Sequence, residues 1–181
     1  TSQVVEEWSQ KNPAIKLIRH PANRGVGSAL RDAFAAAQYD WLFQCPSDNQ
    51  FDISEIERFL PEMEKTDLIQ GGRVNLQYSF YRKIVTWVYR TLLKVLFDIR
   101  FKDPTWVKMI RREAANSILI TTDGFFGELE IVIRAKRKGY RFSEVGVHTQ
   151  KRMYGKSTAS SLSRIVKTFF ELVRFKLFVR D

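Results

Sequence analysis

Two spacings of apolar residues alternate along this chain, and each change of spacing marks a change of element. Residues 16–19 (KLIR) read as a short strand, and the turn Asn23-Arg24-Gly25-Val26-Gly27 then opens a helix that runs to about Gln38. Residues 40–44 (DWLFQ) form a second apolar run, closed by the polar turn Pro46-Ser47-Asp48-Asn49-Gln50. A helix is expected to start near Ile53, with Ser54 as its cap. Residues 67–72 repeat the strand-then-glycine pattern. Strands alternating with helices predict an α/β sheet whose ligands sit at the carboxyl ends of the strands. Asp48 lies at such an end.

From residue 79 to 101 the spacing becomes helical, mixing Phe80, Trp87, Tyr89, Leu92, Leu93 and Phe97 with Arg82, Lys83, Arg90 and Lys94. Such a helix is too charged to span a bilayer and suits a membrane interface. After Arg111 a further helix (127–138) and a strand (140–147) lead to a loop at 150–157. A last amphipathic helix, about 159–179, sets Leu162, Ile165, Val166, Phe169, Leu172 and Val173 against Arg164, Lys167, Glu171 and Arg174. No internal repeat or linker interrupts the pattern, so a single domain over 1–181 is expected.

Composition narrows the picture. The chain has 181 residues, 44% of them apolar, enough for one buried core, and its aromatic content excludes disorder throughout. Cys45 stands alone, which fits a reducing setting and a small buried side chain. The longest stretch without charge, 114–122, is far short of the roughly 20 apolar residues a spanning helix needs. The net charge of +10 is concentrated at the end: thirteen Lys and Arg against three acids lie between Arg134 and Asp181, and the remainder is balanced. A basic end implies a polyanionic partner. Aliphatics at helical spacing, in place of exposed stacking aromatics, favour a membrane surface or phosphorylated substrate over nucleic acid.

The chemistry centres on the turn at 46–50. Asp48 and Gln50 together offer two hard oxygen ligands to Mg²⁺ or Mn²⁺, with a bound diphosphate completing the set. By itself such a turn is more often a simple strand breaker. Its context is Asn-Arg-Gly-Val-Gly-Ser-Ala-Leu at 23–30, Gly-Gly-Arg at 71–73, Glu-x-x-x-Arg-Ala from Glu130 to Ala135, Gly-Tyr-x-x-x-Glu-Val from Gly139 to Val145, and Arg-Met-Tyr-Gly-Lys-Ser at 152–157. In this order the motifs resemble the family 2 glycosyltransferases of the dolichol-phosphate mannosyltransferase and polyprenyl-phosphate glycosyltransferase type.

The resemblance implies a GT-A-like (Rossmann-like) α/β domain with amphipathic interface helices, peripheral on the cytoplasmic face of a membrane. It implies an inverting, metal-dependent transfer from a nucleotide-sugar to a polyprenyl phosphate. Asn23, Gly25 and Asp48 would bind the donor, and Asp48 and Gln50 the metal. Arg73, Arg82, Arg152 and Ser157 would hold the acceptor phosphate, with Asp48 and Glu130 at catalytic positions; Glu130 would orient donor or acceptor or, equally, cap a helix or form an ion pair, and Asp103 ranks below Asp48. Glu128 and Glu130 lie about 200° apart on a helix and are not expected to act together. His20 and His148 are expected to be structural. Two departures from the family pattern stand out. Pro46 replaces the first acid of the usual Asp-x-Asp-x-Gln turn, and the family's first strand with its acidic turn is expected upstream of Thr1. The alternative is a catalytically inactive membrane-surface module of the same fold.

Overall fold

The computed structural model describes residues 2–75, 80–150 and 162–179, with the side chains of 162–168 and 178 left aside. The elements run α1 (Ser2–Lys11), α2 (Val26–Ala36), β1 (Trp41–Gln44), two 3₁₀ turns (Ile53–Arg58 and Leu60–Glu62), β2 (Leu68–Arg73), α3 (Phe80–Phe97), β3 (Lys108–Arg111), α4 (Arg112–Ser117), α5 (Phe126–Arg137), β4 (Phe142–Val147) and α6 (Leu162–Phe178). The four strands make one mixed sheet in the order β1-β3-β2-β4. β3 is antiparallel to both β1 and β2, and β4 is parallel to β2. β1, β2 and β4 therefore end at the same edge.

Alternation along the strands decides which residues face which layer. Leu42, Leu68 and Ile110 join Leu30 and Phe34 of α2, Ala114 and Ala115 of α4, and Ile131 and Ala135 of α5. On the opposite face Phe43, Ile69 and Met109 pack with Phe51, Phe59, Trp106 and Val147. A third cluster joins Leu93 of α3, Leu129, Val132 and Ile133 of α5, and Leu172 and Phe175 of α6. Helix α5 contributes to two of these clusters. That explains why nine of its twelve residues are buried, Glu130 and Arg134 among them.

Several local expectations change. Residues 16–19 join no ladder among the described residues: only Leu17 and Ile18 are apolar there, and Ile18 is 45% exposed, so no burial drives pairing. Asp52, not Ser54, caps the turn after the 46–50 segment, its Oδ1 accepting the Ser54 N–H at 3.1 Å. β3 is a strand that its sequence hides, because Lys108 and Arg111 bracket only two apolar residues. The inward face of α6 carries Leu172 and Phe175, whereas Phe169 of the expected apolar stripe is 42% exposed.

Candidate active site

The carboxyl edge of the sheet brings three strands' polar residues together. Gln44 ends β1, Lys108 begins β3 directly opposite it, and Gln70 of β2 pairs with Lys108 on the other side. The fully buried Lys108 ammonium donates to Gln44 Oε1 at 3.0 Å and to the Trp106 carbonyl at 2.9 Å. The Gln44 amide donates onward to Glu128 Oε1, 3.2 Å away in the first turn of α5. Burial pushes the half-buried Glu128 carboxyl above its ordinary range, although the Lys108 charge pulls it back. The same burial lowers the Lys108 pKa. Buried Gln70 donates to the carbonyls of Asp103 (2.7 Å) and Val107 (3.0 Å), tying the 98–107 connection to β2.

Arg73, the last residue of β2, is ion-paired with Asp103, and its guanidinium lies 5.1 Å from the centre of the Trp106 ring. The two glycines before it lie under close neighbours. A Cβ at Gly71 would lie 2.5 Å from Val107 Cγ2, and one at Gly72 would lie 2.8 Å from Glu144 Oε1. The strand-end signature Gly71-Gly72-Arg73 thus records what crosses over it.

The loop before α2 is shaped by its own side chain: Asn23 Oδ1 accepts the Gly25 N–H at 3.0 Å, and Gly25 sits at φ 88. The Gly27 N–H donates to the Asp123 carbonyl at 2.8 Å. Asp123 pairs with Arg31, whose other arm donates to the Ile120 carbonyl at 2.9 Å. This packs the Asn23–Gly25 turn beside the amino end of α5, whose first turn holds Glu128. The 23–27 turn and the start of α5 are linked in this way.

In the turn at 46–50, Asn49 adopts φ 58, and Asp48 Oδ1 accepts the Gln50 N–H at 3.2 Å. The Gln50 carbonyl accepts the Gln150 N–H at 3.0 Å and Phe51 bridges to Thr149, so the turn is fastened to the end of β4. Among the described residues no group of three His, Cys, Asp or Glu forms a metal cage. One carboxylate and one amide oxygen still suit Mg²⁺, which takes one or two carboxylates and completes its shell with water and phosphate.

Beyond Arg73 opens a cleft of about 430 Å³, lined by Arg73, Lys83, Thr86, Trp87, Arg90 and Lys102. Among the described residues, four cations and no carboxylate line it. Trp87 is 67% exposed and shares an outward apolar face of α3 with Phe80, Ile84 and Val88. Among the described residues no helix is long and apolar enough to cross a membrane.

The sequence-derived site residues are thus distributed unevenly. Asn23, Gly25, Asp48, Gln50 and Arg73 lie in loops or strand ends at the carboxyl edge, and Arg152 and Ser157 fall outside the described residues. Arg82 is exposed on α3, and Lys83 and Arg90 line the cleft instead. Glu130, expected at a catalytic position, lies in the interior. It is fully buried and accepts from the Thr121 N–H and Oγ1, the Thr122 N–H and Arg134 Nε at 2.7–3.0 Å. Burial raises its pKa, but these donors outweigh that and leave it lowered. These bonds tie Thr121 and Thr122 to α5. Glu128 and Glu130 indeed face different partners. His20 sits 2.7 Å from Asp32 and His148 3.4 Å from Glu55. Sequence patterning does not single out Lys108 or Lys102, places Lys83 only among the charges of the interface helix, and sets Glu128 aside. Only Lys108 left a signal, as a lone cation between apolar Val107 and Met109.

Comparison with known proteins bears on the family and the fold. The family described as Glycosyl transferase family 2 matches residues 1–135. The chain is 26% identical over 171 residues to an uncharacterized glycosyltransferase of Mycobacterium tuberculosis, covering 89% of this chain and 78% of that protein. It is 22% identical over 174 residues to an undecaprenyl-phosphate mannosyltransferase of Micrococcus luteus, covering 88% and 71%. Among solved structures it superposes on the glucosyl-3-phosphoglycerate synthase of Mycobacterium tuberculosis, in complex with Mn²⁺, UDP and glucosyl-3-phosphoglycerate. The TM-score is 0.66 at 16% identity, over 96% of this chain and 60% of that one. The chain spans under two thirds of that structure, and the likeness is one of GT-A fold.

Proposed function

Because this chain belongs to glycosyl transferase family 2, we propose that it moves a sugar from a nucleotide-sugar onto a polyprenyl phosphate at the cytoplasmic surface of a membrane, with inversion at the anomeric carbon. The observation that carries this reading is the cationic cleft beside Arg73, one wall of which, Trp87, belongs to the exposed apolar face of α3. A phosphate held by Arg and Lys with its chain leaving across an apolar helix face is the chemistry of a lipid phosphate acceptor. The undecaprenyl-phosphate specificity in the name of the Micrococcus relative agrees with it.

In this reading Asn23 and Gly25 shape the donor loop, while Asp48 and Gln50 would hold Mg²⁺ or Mn²⁺. When bound, that ion neutralises charge on the leaving diphosphate. Arg73, Lys83, Arg90 and Lys102 orient the acceptor phosphate, and in the same proposal the guanidinium groups of Arg82 and Arg152 and the hydroxyl of Ser157 also bind it. A phosphate oxygen forms the new bond to the anomeric carbon as the bond to the nucleoside diphosphate breaks, and the diphosphate departs with the electron pair. A phosphate monoester, with a second pKa near 6, is ionised at neutral pH, so its attack requires no strong base. Exposed Phe169, Phe170 and Leu177 of α6 and the basic end of the chain supply peripheral attachment to an anionic bilayer.

The test is to incubate the full-length protein and Mg²⁺ or Mn²⁺ with a panel of radiolabelled nucleotide-sugars and polyprenyl phosphates. Label appearing in the lipid phase supports the proposal. Label transferred only to water-soluble phosphate acceptors, or no transfer by intact and correctly folded protein, overturns it.

A further inference from the structure

One peptide at the rim of the cleft is held from every side. The Lys102 N–H donates to Glu144 Oε1 at 2.7 Å, and the Asp103 N–H also donates to that carboxylate. The Lys102 carbonyl accepts from Arg90 through Nε at 3.0 Å and Nη2 at 2.7 Å. The next carbonyl, of Asp103, accepts from buried Gln70 at 2.7 Å, and the Asp103 side chain is committed to Arg73. Glu144 stands on β4 opposite Gln70, so its half-buried carboxylate reaches the 102–103 segment by crossing over Gly72, where a Cβ would sit 2.8 Å from Oε1. This explains two features of the sequence with one contact: the second glycine of Gly-Gly-Arg and the acid of the Glu-Val strand.

We propose that Glu144 is a positioning residue for the cationic cleft: by holding the 102–103 peptide, it places Lys102 at the cleft and Asp103 against Arg73, and so sets the cleft's affinity for a phosphate that it never touches. The inference rests on reading the cleft as the acceptor-phosphate site. Without Glu144, one side of the Lys102 peptide loses its charged acceptor and both N–H groups must find water. Two of the four cations around the cleft then lose their fixed positions, and affinity falls because ordering them is left to the ligand.

Binding of inorganic phosphate and of citronellyl phosphate, a short prenyl ester, to the full-length protein tests this by calorimetry. Four variants are compared with the native protein: Lys102→Met, Glu144→Leu, Glu144→Gln and Glu144→Asp. Loss of the charged hydrogen bonds to the Lys102 and Asp103 N–H groups predicts at least about tenfold weaker binding in Glu144→Leu for both probes. Glu144→Gln, which keeps an oxygen acceptor at the same reach, should stay within about threefold of native. Glu144→Asp is one methylene short and should behave like Leu, which keeps the test valid if the Leu variant does not fold. Native-like binding by Lys102→Met would remove the cleft itself as the phosphate site, and the proposed function's acceptor reading with it. Weak binding by Lys102→Met alongside native binding by Glu144→Leu and Glu144→Asp would overturn only the positioning role. A Gln variant as weak as Leu would overturn the hydrogen-bond account, as would a Glu144 effect confined to citronellyl phosphate.

Discussion

Gly27 of α2 and Gly127 of α5 face each other so closely that a Cβ on Gly127 would lie 2.8 Å from the Gly27 Cα, and a Cβ on Gly27 would lie 1.8 Å from the Thr122 carbonyl oxygen. The two helices meet backbone to backbone, and the 121–123 loop is wedged at their crossing. Backbone cannot yield as a flexible side chain does, so Gly27→Ala should destabilise the fold by about 3 kcal/mol. Thermal unfolding measures it; an unchanged midpoint would contradict the close approach.

Asp48→Ala in the full-length protein should abolish transfer and leave the melting temperature within about 2 °C, because a turn residue contributes little to the core. The companion change Pro46→Asp restores a second carboxylate and should lower the Mg²⁺ concentration needed for half-maximal rate. An unaltered metal requirement would mean that other groups already complete the site.

Glu128 gives a pH-dependent prediction. Its folded pKa is raised, so its contribution to stability is fully present below the unfolded value and is lost as pH rises through the folded value. Glu128→Gln keeps the hydrogen bond from Gln44 and removes the buried charge. The variant should therefore melt higher than native protein at neutral pH, with the difference closing as pH falls toward about 4. A variant that melts lower than native protein at neutral pH would show that the Lys108 attraction outweighs burial.

The two faces of α6 should separate cleanly. Leu172→Ala opens a hole in the cluster with α3 and α5 and should cost about 3 kcal/mol. Phe170→Ser, at a 66% exposed position, should leave the melting temperature alone and weaken co-sedimentation with anionic vesicles. Added salt should weaken native binding as well. Equal binding to neutral and anionic vesicles would remove the electrostatic part.

Arg73→Lys keeps the charge and loses the planar fork that meets Asp103 and Trp106. The apparent KM for lipid phosphate should rise about tenfold while donor KM stays within about twofold. A rise in donor KM alone would move Arg73 to the other substrate.

Much of this protein is local information and could be read from the chain. Apolar alternation identified β1, β2 and β4, helical spacing identified α2, α3, α5 and α6, and the ordered motifs from Asn23 to Val145 pointed to the family that the comparison establishes. Turn chemistry at Asn23, Gly25 and Asp48 is local too, since side chain and backbone are two residues apart. The contacts that build the site are not. Lys108 meets Gln44 across 64 positions, Gln44 meets Glu128 across 84, and Glu144 meets Lys102 across 42. Glu130 and Glu128 look alike as letters, yet one is sealed against the 121–123 loop and the other stands half-buried at the sheet edge. Residues 16–19 have a strand's pattern and no ladder in the described structure, while Lys108–Arg111 lacks the pattern and fills the sheet between β1 and β2. Pairing, burial and the charge a side chain carries depend on what the fold sets beside it, and only the tertiary structure decides that.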